Sequence, residues 1–143
     1  EARQRHPEHR FFVTNLDDGV PEFEERFDVI VMAAVIEHVF NLKSVFDGLA
    51  AALKPNGRIV LTTPTVIGND LVHRLGASVG LFSQDAQDDH IVIFNKRRFE
   101  VLANEVGLDL ERHSLFQLGC NQLAILRAPA APAPSEQMLE ATT

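Results

Sequence analysis

Phe27-Asp28-Val29-Ile30-Val31-Met32-Ala33-Ala34-Val35-Ile36-Glu37-His38-Val39, followed by Leu53-Lys54-Pro55-Asn56-Gly57-Arg58-Ile59-Val60-Leu61-Thr62-Thr63-Pro64, decide how this chain folds. Asp28 to Met32 is a continuous apolar and β-branched run without alternation, the pattern of a strand buried on both faces in a parallel sheet. Arg58 to Thr62 reads as the next buried strand and is closed by Pro64. Between them Asn41 is placed as an N-cap, and Leu42, Val45, Phe46, Leu49 and Leu53 recur at helical spacing, giving one apolar face. Pro55-Asn56-Gly57 stops that helix. Strand, helix and strand make a βαβ unit, which crosses over right-handed and sets the two strands parallel. The pattern predicts an α/β fold with the first of these strands at its centre.

Upstream, Glu1 to His9 reads as the end of a helix broken at Pro7, and Phe11-Phe12-Val13 as a short strand ending at the turn Asn15-Leu16-Asp17-Asp18-Gly19. Downstream, residues 65–89 lose any firm period, which suits a lid or substrate segment more than a packing element. Asn95 caps a helix carrying Phe99, Leu102, Ala103 and Val106 on one face, with Gly107 at its C′ position. Leu108 to Phe116 and Gln122 to Arg127 read as strands joined by a turn at Gly119-Cys120-Asn121, an antiparallel hairpin. The Ala/Pro-rich stretch 128–143 lacks the apolar content to order itself and reads as a tail.

Composition fits one soluble domain: 143 residues, 45% hydrophobic and 23% charged. A net charge of -7 argues against nucleic acid or an anionic membrane as partners, since clustered Lys and Arg drive those associations. Cys120 is the only cysteine, which excludes an intrachain disulfide and suits a thiol in a reducing, cytoplasmic compartment. No signal pattern opens the chain. The run Val29 to Ile36 is far shorter than the roughly 20 residues of a membrane span.

The two opening stretches, together with His90 and the helix ending at Gly107-Leu108, resemble the class I S-adenosylmethionine-dependent methyltransferases, in the family's order and over roughly residues 10 to 127. Phe27-Asp28-Val29 resembles the start of the family's fourth strand. Ile36-Glu37-His38-Val39 resembles the segment leaving it, and Leu53-Lys54-Pro55-Asn56-Gly57 the turn into the fifth, with Asn for a usual Gly. The resemblance implies a partial Rossmann-like sheet, strands three to seven of an order 3-2-1-4-5-7-6, with helices on both faces and the hairpin last. It implies S-adenosylmethionine as cofactor and a small-molecule or metabolite acceptor as substrate. The cofactor's adenine would lie against Asn15 and Leu16, where the family usually has an Asp and an apolar residue. An Asn accepts from the adenine amino group without the charge assistance of an Asp. Met32, Ala33 and Ala34 match the stretch that passes the methionine portion and the substrate.

Glu37 and His38 carry two readings. Some relatives have Glu-x-x-Glu-His here and bind a divalent metal. In this chain Ala34 replaces the first Glu, leaving too few oxygen ligands for a hard cation, so no metal is expected. His38 suits a general base that deprotonates a hydroxyl acceptor, and His90 carries the same two readings, catalytic and structural. The simpler reading, that Glu37 and His38 organise the start of the following helix, is the stronger one, because transfer to a good nucleophile needs only proximity and alignment. Lys96-Arg97-Arg98 begins a helix, where its charge opposes the dipole; a solvated face is the ordinary explanation and an anion site the sharper one. His6, His9, His73 and His113 show no metal-ligand spacing.

The family's glycine-rich cofactor loop has no counterpart after Glu1, so the chain is expected to be part of a longer gene product. Without the first two family strands, the edge at residues 28–32 is open and offers a homodimer interface. Three classes of function remain: a small-molecule methyltransferase, an inactive methyltransferase-like binding or regulatory module, and an unrelated nucleotide-binding α/β domain. The last leaves the late hairpin unexplained.

Overall fold

The computed structural model describes residues 1–67 and 93–132. Its framework is a four-stranded sheet of β1 (Phe27–Ala33), β2 (Leu53–Pro64), β3 (Asp109–Phe116) and β4 (Asn121–Arg127), in the spatial order β1-β2-β4-β3. β1 and β2 are parallel and are joined through helix α2 (Leu42–Ala52), the βαβ unit read from the sequence. β4 pairs antiparallel with both β2 and β3. This is the order the resemblance implies once the family's first three strands are set aside.

Local chemistry accounts for the helices. Asn41 Oδ1 accepts from the Ser44 N–H at 3.4 Å, closing the first turn of α2. Asn95 does the same for Arg98 at 2.9 Å at the head of α3 (Lys96–Glu105). Gly107, with φ +71, takes the left-handed turn that ends α3. The four-residue helix α1 (Ala2–Arg5) stops before Pro7.

The core lies on one face of the sheet. Ile59, Leu61 and Thr63 of β2 stand beside Leu126, Ala124 and Gln122 of β4, and all six are buried. Val45, Phe46 and Leu49 of α2 and Phe99, Leu102 and Ala103 of α3 complete the same cluster. Gln122 is the polar exception. Its Nε2 donates to the carbonyls of Pro64 (3.1 Å) and Phe94 (2.8 Å), while its Oε1 accepts from His113 Nε2 at 3.0 Å. One amide thus uses both protons and its oxygen to join three segments.

Three expectations change. Phe11-Phe12-Val13 forms no strand: among the described residues no strand pairs with it, and Phe12 instead packs edge-on against Phe23, which meets Phe27 the same way. The run Asp28 to Met32 is not buried on both faces. Ile30 and Met32 face the core, but Val29 and Val31 are 51% and 67% exposed. Among the described residues β1 is an edge strand, and both α2 and α3 bury their apolar faces in the one core cluster. Finally, β2 begins at Leu53, before the Pro55-Asn56-Gly57 turn, with an irregular register opposite Phe27 to Val29.

The stretch expected to be a tail is anchored at its start. Ala128 is buried and its N–H donates to Gly57 O at 2.8 Å, while Asn56 N–H donates to Pro129 O at 3.1 Å. The lid expected at 65–89 lies outside the described residues from position 68 onward, as do His73 and His90.

Candidate functional site

The carboxyl end of a parallel strand pair is where open α/β sheets bind ligands, and the predicted residues Ala33, Ala34, Glu37 and His38 follow one another along the chain there. β1 ends at Ala33. Ala34 then turns the chain with φ 53, a left-handed conformation uncommon outside Gly, Asn and Asp, while its N–H stays bonded to Thr62 O at 2.9 Å. Ala33 and Ala34 are exposed and small, so the backbone at this end of the sheet is open to an approaching molecule.

A 3-10 turn, Ile36–His38, follows. It separates the two residues of the Glu37-His38 pair. Glu37 is buried, and its Oε2 accepts from the Thr63 hydroxyl at 3.1 Å. His38 faces solvent. Glu37 therefore ties the turn to β2, while the His38 side chain stays exposed.

The turn that follows Asn15 is tied to the head of α2 by an unforeseen link. Asp17 Oδ1 accepts from the backbone N–H of Phe40 (2.9 Å) and Asn41 (3.0 Å), at the head of α2. A carboxyl group there satisfies two free donors and opposes the positive end of the helix dipole. It pins the turn Leu16–Asp18 beside the segment leaving β1. Asn15 Oδ1 caps that turn, accepting from Asp17 N–H at 3.3 Å, so the oxygen expected to meet an adenine amino group already holds one donor. Leu16 is half-buried against the core. Met32 points into the core, which leaves Ala33 and Ala34 as the exposed part of the Met32–Ala34 stretch.

A cleft of about 510 Å³ opens between the heads of α2 and α3, lined by Leu42, Lys43, Phe94, Arg97, Arg98 and Val101 among others. Lys43 is paired with Asp47 at 2.6 Å, and Lys96 with Glu100 at 3.6 Å. Arg98 donates to the Ile93 carbonyl. The basic run at the head of α3 is thus largely committed to local partners. Sequence reading missed Asp17 and Thr63. Asp17 lay inside a turn motif, and the only signal for Thr63 was its place at the end of a buried strand.

The Methyltransferase domain family matches residues 2–113. Over 51 residues, 36% of its length, the chain is 37% identical to the mitochondrial ubiquinone biosynthesis O-methyltransferase of Homo sapiens, and it spans 14% of that protein. Its fold is similar to that of the PH0226 protein of Pyrococcus horikoshii, with a TM-score of 0.63 and 18% identity over 89% of this chain and 67% of that one. It is also similar to magnesium protoporphyrin IX methyltransferase of Synechocystis, with a TM-score of 0.58 and 15% identity, covering 90% of this chain and 58% of that one. No helix among the described residues is long and apolar enough to cross a membrane.

Proposed function

The chain belongs to the Methyltransferase domain family, a class I S-adenosylmethionine-dependent family, and from that premise we propose that it forms the acceptor-side part of a methyl-transfer site for a small molecule. The observation that carries this reading is Asp17, which holds the Asn15-Leu16 turn against Phe40 and Asn41 at the carboxyl end of β1. Asp17 thereby ties the Asn15-Leu16 turn to the head of α2, in the segment that follows Ala33-Ala34 along the chain.

The residues present fit both ends of S-adenosylmethionine as the resemblance assigns them, Ala33 and Ala34 to the methionine portion and Asn15 to the adenine. Ala33 and Ala34 expose backbone beside small side chains, and the second lone pair of Asn15 Oδ1 remains available to an amino group. When bound, that cofactor supplies an electrophilic methyl group. The chain's own contribution is to orient the acceptor, with His38 taking the proton of a hydroxyl at its exposed imidazole. Glu37, held by Thr63, keeps the turn that carries His38 in place. Similarity to an O-methyltransferase favours a hydroxyl acceptor. His90 stays a candidate for the same role on sequence grounds. A cytoplasmic setting, from the single cysteine, belongs to the same proposal.

The partial commitment of Asn15 Oδ1 favours a second reading, a methyltransferase-like module that binds without catalysing. Calorimetric titration of S-adenosylhomocysteine, with light scattering in the same buffer, tests both. Micromolar binding is the expected result. Absence of binding up to millimolar ligand would overturn the cofactor assignment for this chain.

A further inference from the structure

His6, Glu8 and His9 each place one ligand atom within 4.8 Å of the others, and we propose that they form a site for a borderline divalent transition metal such as zinc. The site is independent of methyl transfer.

Spacing alone hid it. Residues two apart on a helix face different directions, so His6 and Glu8 would diverge if α1 continued. It does not continue, because Pro7 disfavours the helical conformation for His6, which sits at φ -134 and ψ 67. The chain turns back instead, with His9 N–H donating to His6 O at 3.2 Å. That turn brings the two imidazole rings to 6.0 Å, centroid to centroid. Glu8 Oε1 lies 3.5 Å from His6 Nδ1 and 3.4 Å from His9 Nε2.

Those separations match a metal polyhedron. With metal–ligand bonds of about 2.0–2.1 Å, neighbouring donors of a tetrahedral site stand about 3.3–3.4 Å apart. Two of the three edges are therefore already at coordination spacing, and the third closes by rotation of exposed imidazoles. Two imidazole nitrogens and one carboxylate oxygen are a donor set for zinc rather than for magnesium or calcium, which prefer oxygen throughout. Three protein donors leave a fourth position for water or another ligand. Arg5 is paired with Glu1 and Arg3 donates to the Phe11 carbonyl at 2.7 Å, while Arg10, next to His9, is an exposed cation that lowers the affinity the site can reach.

Zinc chloride titrated into the full chain, read by calorimetry and by competition with a chromogenic chelator, tests the site. One zinc per chain is expected, unaffected by excess magnesium. His6→Ala and His9→Ala should each weaken binding by about tenfold or more, with circular dichroism unchanged because all three residues are exposed. A Cys120→Ser control should bind as the parent does. Absence of zinc binding at submillimolar concentration would overturn the proposal, and so would a His6→Ala/His9→Ala double variant that binds like the parent.

Discussion

Glu37 Oε2 stands 3.1 Å from the Thr63 hydroxyl, a buried contact between the turn leaving β1 and the end of β2. It couples the stretch bearing His38 to the strand at the centre of the sheet. Thr63→Val keeps the shape of the side chain and removes the donor. The cost of leaving a buried polar group short of a partner is about 1–3 kcal/mol. A drop of that size in urea-unfolding stability is expected, with Thr63→Ser much closer to the parent. An unchanged midpoint for Thr63→Val would show that water serves the carboxyl group equally well.

Asp17 is predicted to matter for both stability and ligand binding. Asp17→Ala leaves the N–H groups of Phe40 and Asn41 without their side-chain acceptor, which should cost about 0.5–2 kcal/mol by analogy with loss of a helix cap. It also frees the Asn15-Leu16 turn. S-adenosylhomocysteine affinity should therefore fall more for Asp17→Ala than for Asp18→Ala, as measured by calorimetry; equal losses would separate the turn from the site.

Gly57 is required for space. A Cβ there would lie 2.8 Å from Lys54 O and 3.0 Å from Phe27 O, both backbone atoms with little freedom to retreat. Gly57→Ala is expected to destabilise the chain by about 1–3 kcal/mol through this overpacking. Thermal unfolding checks it, and a melting temperature equal to that of the parent would contradict the tight approach of the β2 turn to β1.

The outer edge of β1 should support self-association. Its backbone has no partner among the described residues, and Val29 and Val31 flank it in solvent. Multi-angle light scattering is expected to show a concentration-dependent dimer that Val31→Lys weakens, since a lysine on an edge strand opposes pairing. A parent chain that stays monomeric throughout the concentration series would refute the open-edge interface.

Legibility in the sequence followed the range of the forces involved. The caps Asn41 and Asn95 and the left-handed Gly107 act within four residues of themselves, and each does what its local pattern implied. The βαβ unit was readable for the same reason. The strand expected at Phe11 to Val13 needed a neighbour that nothing local supplies. The two-faced burial expected of Val29 and Val31 depended on what covers the far side of the sheet. At the site, small residues at Ala33 and Ala34 were identifiable as types. The divergence of Glu37 and His38 was not, because a 3-10 turn sends adjacent side chains different ways. The bridge from Asp17 joins positions distant in sequence, and the meeting of His6 with His9 depends on a turn around Pro7.

β2 draws its two neighbours from very different distances along the chain. β1 comes to it across a single helix, whereas Arg58 and Ile59 align with Arg127 and Leu126, near the end of the described chain. Closing a short loop costs less entropy than closing a long one, and non-local pairings are slow to form. The β1-α2-β2 unit is thus placed to assemble early and the β3–β4 hairpin separately, with docking of the hairpin as the late kinetic step. Pulsed hydrogen exchange during refolding would then protect the β2 amides that bond to β1 before those that bond to β4, and simultaneous protection of both edges of β2 would rule that order out. Until docking, the strand that becomes the middle of the sheet is its most exposed edge, and that interval is when the chain is most open to joining another copy of itself.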